Sequence, residues 1–444
     1  MSRVNLISFG CPKNQVDSEK LLGLLKSEGI EYTDAPDKAD AILINTCGFI
    51  DDAKRESING ILEASSIKGG RRLIVFGCLA QRYGDKLLKE VPEIDNIFGV
   101  GDEDRIVSLL KGDKKSRIRR SKRVLLNPLH YAYLKIAEGC NRGCTYCVIP
   151  SIRGPYKSRM LDEIVKEAQA IVKGGVNEVI LVAQDTTSYG TDLKIKNALP
   201  SLLERISDID GIKWIRLLYT YPTSITDELI AVIASRKNIC KYMDIPIQHS
   251  EESILRQMGR RGGRQEYMRL IQRLRKAIPD IILRTSIMVG FPTEGEKEFQ
   301  GLTDFIRDAE FDRLGVFTYS KEDGTPAKNM SGHVSQAIKE KRRNMIMEMQ
   351  ANISLKRNRS FIGKTMEVLI DEADGDYSMA RTMGQAPEID GVTFLKNADG
   401  LSVGDIVKVR ITEAQEYDLI AEAVPQQVVD RKFQATSGYR EKRG

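Results

Sequence analysis

The chain has 444 residues, of which 41% are apolar and 29% charged, and its formal net charge is +6. That leaves room for two or three domains, and no apolar run approaches the ~20 residues a membrane-spanning helix needs. Nor does the start carry a secretory pattern, because Val4–Phe9 alternates and runs straight into Gly10-Cys11. A cytoplasmic, reducing setting is therefore expected, in which the seven cysteines serve metal binding or catalysis rather than disulfides.

Residues 1–110 alternate strand and helix. Val4–Phe9, Ala41–Asn45 and Leu73–Phe76 read as strands, and Val16–Ser27, Ala53–Ser65 and Gln81–Glu90 as helices, which predicts a parallel sheet covered by helices. Lys111–Arg123 holds eight Lys or Arg and one Asp and reads as an exposed basic linker within 111–130. Residues 131–335 repeat the strand–helix alternation six times. The strands lie near Tyr133–Ala137, Glu178–Val182, Trp214–Leu218, Tyr242–Pro246, Ile281–Ile287 and Leu314–Tyr319, which predicts an open, partial β/α barrel. A long polar helix is expected within 336–363. Residues 364–430 change character, with short strands at Met366–Ile370, Tyr377–Arg381, Ile406–Ile411 and Leu419–Ala423 between Asp/Gly turns, the pattern of a small antiparallel β-barrel. The last stretch, 431–444, is polar and basic and reads as a disordered tail.

Charge is divided along the chain. Residues 364–430 carry fourteen acids against five bases, whereas 431–444 carry five bases and one acid, so the first 363 residues hold the bulk of the positive charge. A basic body with an acidic appendage bears on the partner.

Cys140-Asn-Arg-Gly-Cys144-Thr-Tyr-Cys147 puts three thiols within eight residues, directly after an expected strand. A four-iron four-sulfur cluster has four corners, and three thiolates leave one iron open. That iron can chelate the amino and carboxylate groups of S-adenosylmethionine, whose reductive cleavage gives a 5′-deoxyadenosyl radical that side chains alone cannot supply. The alternative is a zinc site, although zinc knuckles use paired Cys motifs with four ligands. Gly139 and Gly143 let the backbone wrap a cluster closely. Further cofactor contacts are expected at the carboxyl ends of the barrel strands: Gln184 and Asp185 after the second, Arg216 on the third, Gln248 after the fourth, and Gly290-Phe-Pro after the fifth. Asp185 suits a ribose hydroxyl and Arg216 a carboxylate; ordinary loop polarity or a structural ion pair is the alternative for each.

Cys11, Cys47 and Cys78 are distant in sequence but equivalent in position, each directly after a buried strand. In an open parallel sheet the carboxyl ends of the strands share one edge, so these thiols can converge. Each also precedes a helix, whose N-terminus favours a thiolate. They make a second three-point cradle for a cluster; three inert buried cysteines are the alternative. Cys240 has no such companions.

The C-x₃-C-x₂-C run with Tyr146 before its last Cys resembles the signature of the radical S-adenosylmethionine superfamily, where this aromatic lies near the adenine. The whole layout, from about residue 3 to 430, resembles the methylthiotransferases, with an N-terminal cluster domain, a radical barrel and a terminal TRAM-type domain. The resemblance implies two 4Fe-4S clusters, the second carrying the sulfur that is transferred. It also implies two roles for S-adenosylmethionine, radical source and methyl donor, and an electron donor such as flavodoxin or ferredoxin. One branch of the family modifies an adenosine in tRNA, the other an aspartate at its β-carbon in ribosomal protein S-twelve. Gly10-Cys11-Pro-Lys-Asn-Gln-Val-Asp-Ser-Glu19 and Ala183-Gln-Asp-Thr-Thr-Ser-Tyr-Gly190 resemble the ribosomal-protein branch. The acidic terminal domain agrees, because it would repel phosphates and attract a basic protein. A tRNA-modifying enzyme and a non-enzymatic iron–sulfur or zinc scaffold are the alternatives.

Overall fold

A computed structural model describes residues 3–112, 122–126, 130–374, 377–396, 398 and 400–424. Most of the basic linker, 113–121, and the tail, 431–444, lie outside the described residues. The chain forms two compact units, Met1–Ser354 and Leu355–Gly444.

The first unit begins with β1 (Arg3–Ser8), α1 (Pro12–Ser27), β2 (Glu31–Tyr32), β3 (Ala41–Thr46), α2 (Asp51–Ile67), β4 (Arg72–Gly77), α3 (Cys78–Glu90), β5 (Asn96–Ile97) and α4 (Glu103–Lys111). The sheet runs β2-β1-β3-β4-β5 and every pair in it is parallel. β3 is buried along its whole length, which is why its run reads as continuously apolar rather than alternating. The first three helices start earlier than the sequence suggests, α2 by two residues. α1 begins at Pro12, whose missing N–H costs nothing in a first turn, and Cys11 is its N-cap. α3 begins at Cys78 itself.

A second parallel layer follows in the same unit: β6 (Tyr131–Lys135), β7 (Ala137–Glu138), α5 (Ile149–Arg153), β8 (Lys157–Ser158), α6 (Leu161–Lys173), β9 (Glu178–Val182), α7 (Ala198–Ser207), β10 (Trp214–Leu217), α8 (Asp227–Ser235), β11 (Tyr242–Asp244), α9 (Glu252–Gln257), α10 (Arg264–Ala277), β12 (Ile282–Val289), α11 (Glu296–Ala309) and β13 (Arg313–Thr318), after which α12 (Gln336–Arg359) starts in this unit and ends past its last residue, Ser354. β10-β9-β6 and β11-β12-β13 are parallel half-sheets. They meet where Ile215 bridges Ile239 and Cys240 N donates to Ile215 O at 2.8 Å, giving the six expected strands in sequence order. α6 shows why the helices cover them: Ile164, Val165, Ala168 and Ile171 recur at helical spacing and are all buried. Burial of each large side chain contributes on the order of 1.5–3 kcal/mol.

The linker's end is not exposed. The Arg123 side chain is buried, pairing with Glu19 of α1 at 3.0 Å and Glu167 of α6 at 2.9 Å, because two acids from different elements leave one buried site for a cation. No helix among the described residues is long and apolar enough to cross a membrane.

The second unit is a closed barrel of β14 (Thr365–Asp374), β15 (Tyr377–Thr382), β16 (Thr393–Lys396), β17 (Ile406–Ala414) and β18 (Leu419–Ala423), in the order β14-β15-β16-β18-β17. It has one strand more than the sequence suggests, and the pair β16–β18 is parallel, so the barrel is not wholly antiparallel. Asp371 of β14 is held by Arg381 of β15 at 2.7 and 2.9 Å, so one of the domain's acids is matched within the barrel.

Candidate active site

Cys11, Cys47 and Cys78 follow β1, β3 and β4, three neighbouring strands, and so emerge side by side. Their crowding is visible at Gly10, whose φ is +94° and where an added Cβ would lie 2.6 Å from Cys47 Cβ and 3.0 Å from its Sγ; at Gly48 a Cβ would meet the Cys78 backbone at 2.9 Å. Asn14 threads between them: its Nδ2 donates to Phe9 O at 3.1 Å and Thr46 O at 3.0 Å, and the Cys78 thiol donates to its Oδ1 at 3.4 Å. The helix N-terminus does not set the thiol acidities alone. Burial pushes Cys78 up to about 12 and raises Cys47. At Cys11 burial also acts upward but is outweighed by Lys13 and Arg153, and the thiol ends below its ordinary value.

Cys140, Cys144 and Cys147 lie on the loop between β7 and α5, pinned at several points. Cys140 N donates to Gly154 O at 3.2 Å, Thr145 N to Met258 O at 3.0 Å, and Ala327 N to Thr145 O at 2.9 Å. Gly139 is needed for closeness: its φ is +74° and a Cβ would sit 2.2 Å from Pro155 O. Burial raises the Cys140 thiol and pushes Cys147 up to about 12. Two sulfurs receive donors, Cys140 from Arg142 N at 3.5 Å and Cys144 from Arg260 Nη1 at 3.9 Å. Both guanidinium groups also flank the Tyr221 ring, at 3.9 and 4.4 Å. A thiol set that is half-buried, cation-flanked and wrapped by glycine suits iron ligation, which replaces the proton that desolvation otherwise retains. Among the described residues no three His, Cys, Asp or Glu side chains converge on a single metal-ion point; in a cluster each thiolate addresses its own iron.

The other expected residues divide. Asp185 is buried and accepts from Arg142 Nε at 2.5 Å and Ser188 Oγ at 2.7 Å, and it shares with Cys140 the lining of a cavity of about 560 Å³. Tyr146 packs edge-on against Phe291 at 6.4 Å, and burial raises its hydroxyl well above the usual range. Phe291 follows Gly290, whose φ is +70°, so the Gly290-Phe-Pro turn supports the aromatic of the cysteine loop. Gln248 has φ +72° and ties β11 to β12 through Ser286 O at 2.9 Å and Met288 N at 2.8 Å. Gln184 donates to Glu138 at 3.0 Å, while its buried Oε1 has no partner among the described residues. Arg216 does not join them. It is wholly buried, 2.6 Å from an equally buried Glu178 and 4.8 Å from the Tyr242 ring centre, so its charge is committed inside the barrel rather than offered to a cofactor carboxylate.

The two cysteine triads adjoin. Val148, next to Cys147, packs with Ile152 against Cys78. Arg153 reaches from α5 to Asp17 at 3.1 Å and to Asn14, while pairing with Glu138 at 2.8 Å. Lys135 of β6 pairs with the same Asp17 and Glu138. In the opposite direction Lys13 of α1 lies 3.5 Å over the ring of Tyr219, beyond the end of β10. Sequence reading passed over Lys13, Arg142, Arg153 and Arg260; their one signal is a cation within a few residues of a cysteine, or in a glycine-rich turn.

Three family models match successive stretches: the uncharacterized protein family UPF0004 at residues 3–99, the Radical SAM superfamily at 134–306 and the TRAM domain at 362–424. Among solved structures, the radical S-adenosylmethionine methyltransferase TsrM from Kitasatospora setae matches with TM-score 0.53 at 14% identity over 74% of each chain. The cobalamin-dependent S-adenosylmethionine radical enzyme OxsB matches with TM-score 0.52 at 11% identity, over 79% of this chain and 56% of that one. Those identities speak for the fold alone. Fold and cysteine loop define a radical S-adenosylmethionine enzyme, a class whose members hold a four-iron four-sulfur cluster and S-adenosylmethionine. Relatives described as ribosomal protein uS12 methylthiotransferase RimO match nearly end to end. That of Thermodesulfovibrio yellowstonii is 51% identical over 94% of this chain and 99% of its own length, and that of Acetivibrio thermocellus 46% over 95% and 98%. The chain belongs to the RimO family of methylthiotransferases.

Proposed function

We propose that the chain methylthiolates ribosomal protein uS12 at the β-carbon of an aspartate side chain, with one cluster on Cys140, Cys144 and Cys147 and a second on Cys11, Cys47 and Cys78. The observation that carries this is the buried cluster that Val148, neighbour of Cys147, forms with Ile152 and Cys78, which joins the elements carrying the two triads. When bound, the clusters and S-adenosylmethionine supply the 5′-deoxyadenosyl radical, the sulfur and the methyl group. The chain's part is to hold and orient. Arg142 and Asp185 line the cavity beside Cys140, and Tyr146 and Gln248 would hold the bound S-adenosylmethionine. Arg153 and Lys135 lock the two layers through Asp17 and Glu138, and burial withdraws Cys47 and Cys78 from water. The terminal barrel's acidity supports a basic protein over tRNA as substrate. The reading includes a flavodoxin- or ferredoxin-like electron donor, a cytoplasmic setting, and a division into 1–110, 131–335 and 364–430.

The deciding assay is anaerobic: reconstituted enzyme, reductant and S-adenosylmethionine, with uS12 or tRNA. Formation of 5′-deoxyadenosine and a methylthio mass gain on a uS12 aspartate are expected, with tRNA unchanged; modification of tRNA instead of uS12 would overturn the assignment. Replacing Cys140, Cys144 and Cys147 together by Ala is expected to leave about half the reconstituted iron, as for two independent Cys-ligated clusters. Retention of all the iron, or none, contradicts two clusters.

A further inference from the structure

Three cations are buried where the two layers meet: Lys13, Lys135 and Arg153. Two are matched by acids, since Lys135 and Arg153 both pair with Asp17 and Glu138. Lys13 is not. It is 8% exposed and makes no ion pair with a carboxylate among the described residues; its ammonium rests 3.5 Å from the centre of the Tyr219 ring. The Tyr219 hydroxyl and the Cys11 thiol also favour its charge, and Arg153 opposes it.

A ring face is a weak substitute for a carboxylate. Cation–π attraction recovers only part of what it costs to remove an ion from water. Tyr219 is itself held in an unusual backbone conformation, φ +60°, and its amide donates to Asp244 Oδ2 at 2.9 Å, so the platform under the ammonium is fixed in place. The placement is that of a cation kept ready for an anion arriving from outside the chain. It lies between Cys11 of one triad and the end of a barrel strand, where the layer carrying the other triad begins.

We infer that Lys13 receives the side-chain carboxylate of the substrate aspartate, orienting the adjacent β-carbon between the two triads. The inference rests on the uS12 reading above and adds the residue that distinguishes an aspartate from an asparagine. It requires that the acid bind as a carboxylate, paired to Lys13 away from water, where truncating one partner of a buried charge pair costs roughly 30-fold or more in affinity.

The test is a double-mutant cycle on the reconstituted enzyme, with equilibrium binding of uS12 carrying either aspartate or asparagine at the modified position. The unaltered enzyme is expected to bind the aspartate form roughly 30-fold more tightly, Lys13→Met to bind both forms alike, and Lys13→Arg to restore the preference. Iron content and the electron paramagnetic resonance spectrum of Lys13→Met serve as the check that its cysteines still hold iron. If the unaltered enzyme binds the two forms equally, or Lys13→Met keeps the preference, the assignment falls. Should the unaltered enzyme fail to methylthiolate uS12 at all, the substrate reading falls first and takes this inference with it; intact methylthiolation with a preference independent of Lys13 overturns the inference alone.

Discussion

Cys47→Ala is expected to separate the two halves of the reaction: 5′-deoxyadenosine still forms, while methylthiolated uS12 falls below detection. Cys47 follows β3 and is held there by Ser57, which donates to Cys47 O at 3.2 Å and accepts from Cys47 N at 2.9 Å. Nothing in that anchorage belongs to the loop of Cys140, Cys144 and Cys147, which is pinned instead by Gly154, Met258 and Ala327. Losing one of three thiolates removes a corner of the second cradle without touching the first. Cys144→Ala is expected to abolish both products, because the same loop must hold the radical source. Quantifying 5′-deoxyadenosine by chromatography and the modified protein by mass spectrometry, in one reaction mixture, reads both outcomes. A Cys47→Ala enzyme that still thiolates uS12 would make the N-terminal cysteines packing residues.

Both cysteine triads were legible in the sequence, for different reasons. Cys140, Cys144 and Cys147 declare themselves by spacing. Cys11, Cys47 and Cys78 do so only once the strands before them are recognised, because a parallel sheet turns equal topological positions into spatial neighbours. The strand–helix alternation was equally plain, since its period is local. What stayed hidden depends on contacts across long separations. Arg153 meets Asp17 and Asn14 across well over a hundred residues, and Lys13 meets Tyr219 across two hundred; no pattern of spacing carries such a pairing. The four residues of β16 were too few to show a period, and they pair in parallel with β18, against the hairpin logic of short strands. Nor can the acid and base counts of 364–430 reveal that Arg381 folds back onto Asp371.

The sequence leaves Arg216 open between a cofactor carboxylate and a structural ion pair, and the structure favours the ion pair. An arginine on a barrel strand can face a cofactor or another strand, and the register of β10 against β9 decides: Arg216 stands opposite Ile180 and its guanidinium reaches Glu178. Both side chains are fully buried. Arg216→Met is therefore expected to destabilise the protein by about 3–5 kcal/mol, the cost of leaving a buried charge without its partner. In denaturant this reads as an earlier first transition, the chain having two compact units rather than one cooperative block. The double variant Arg216→Met with Glu178→Leu removes the stranded charge, so it is expected to recover most of the loss. That recovery separates the two roles. An arginine that met the carboxylate of S-adenosylmethionine would leave the double variant stable but weak in binding it. An arginine committed to Glu178 leaves it stable with cofactor affinity intact, which is the outcome expected from a guanidinium fully buried at 2.6 Å from its acid.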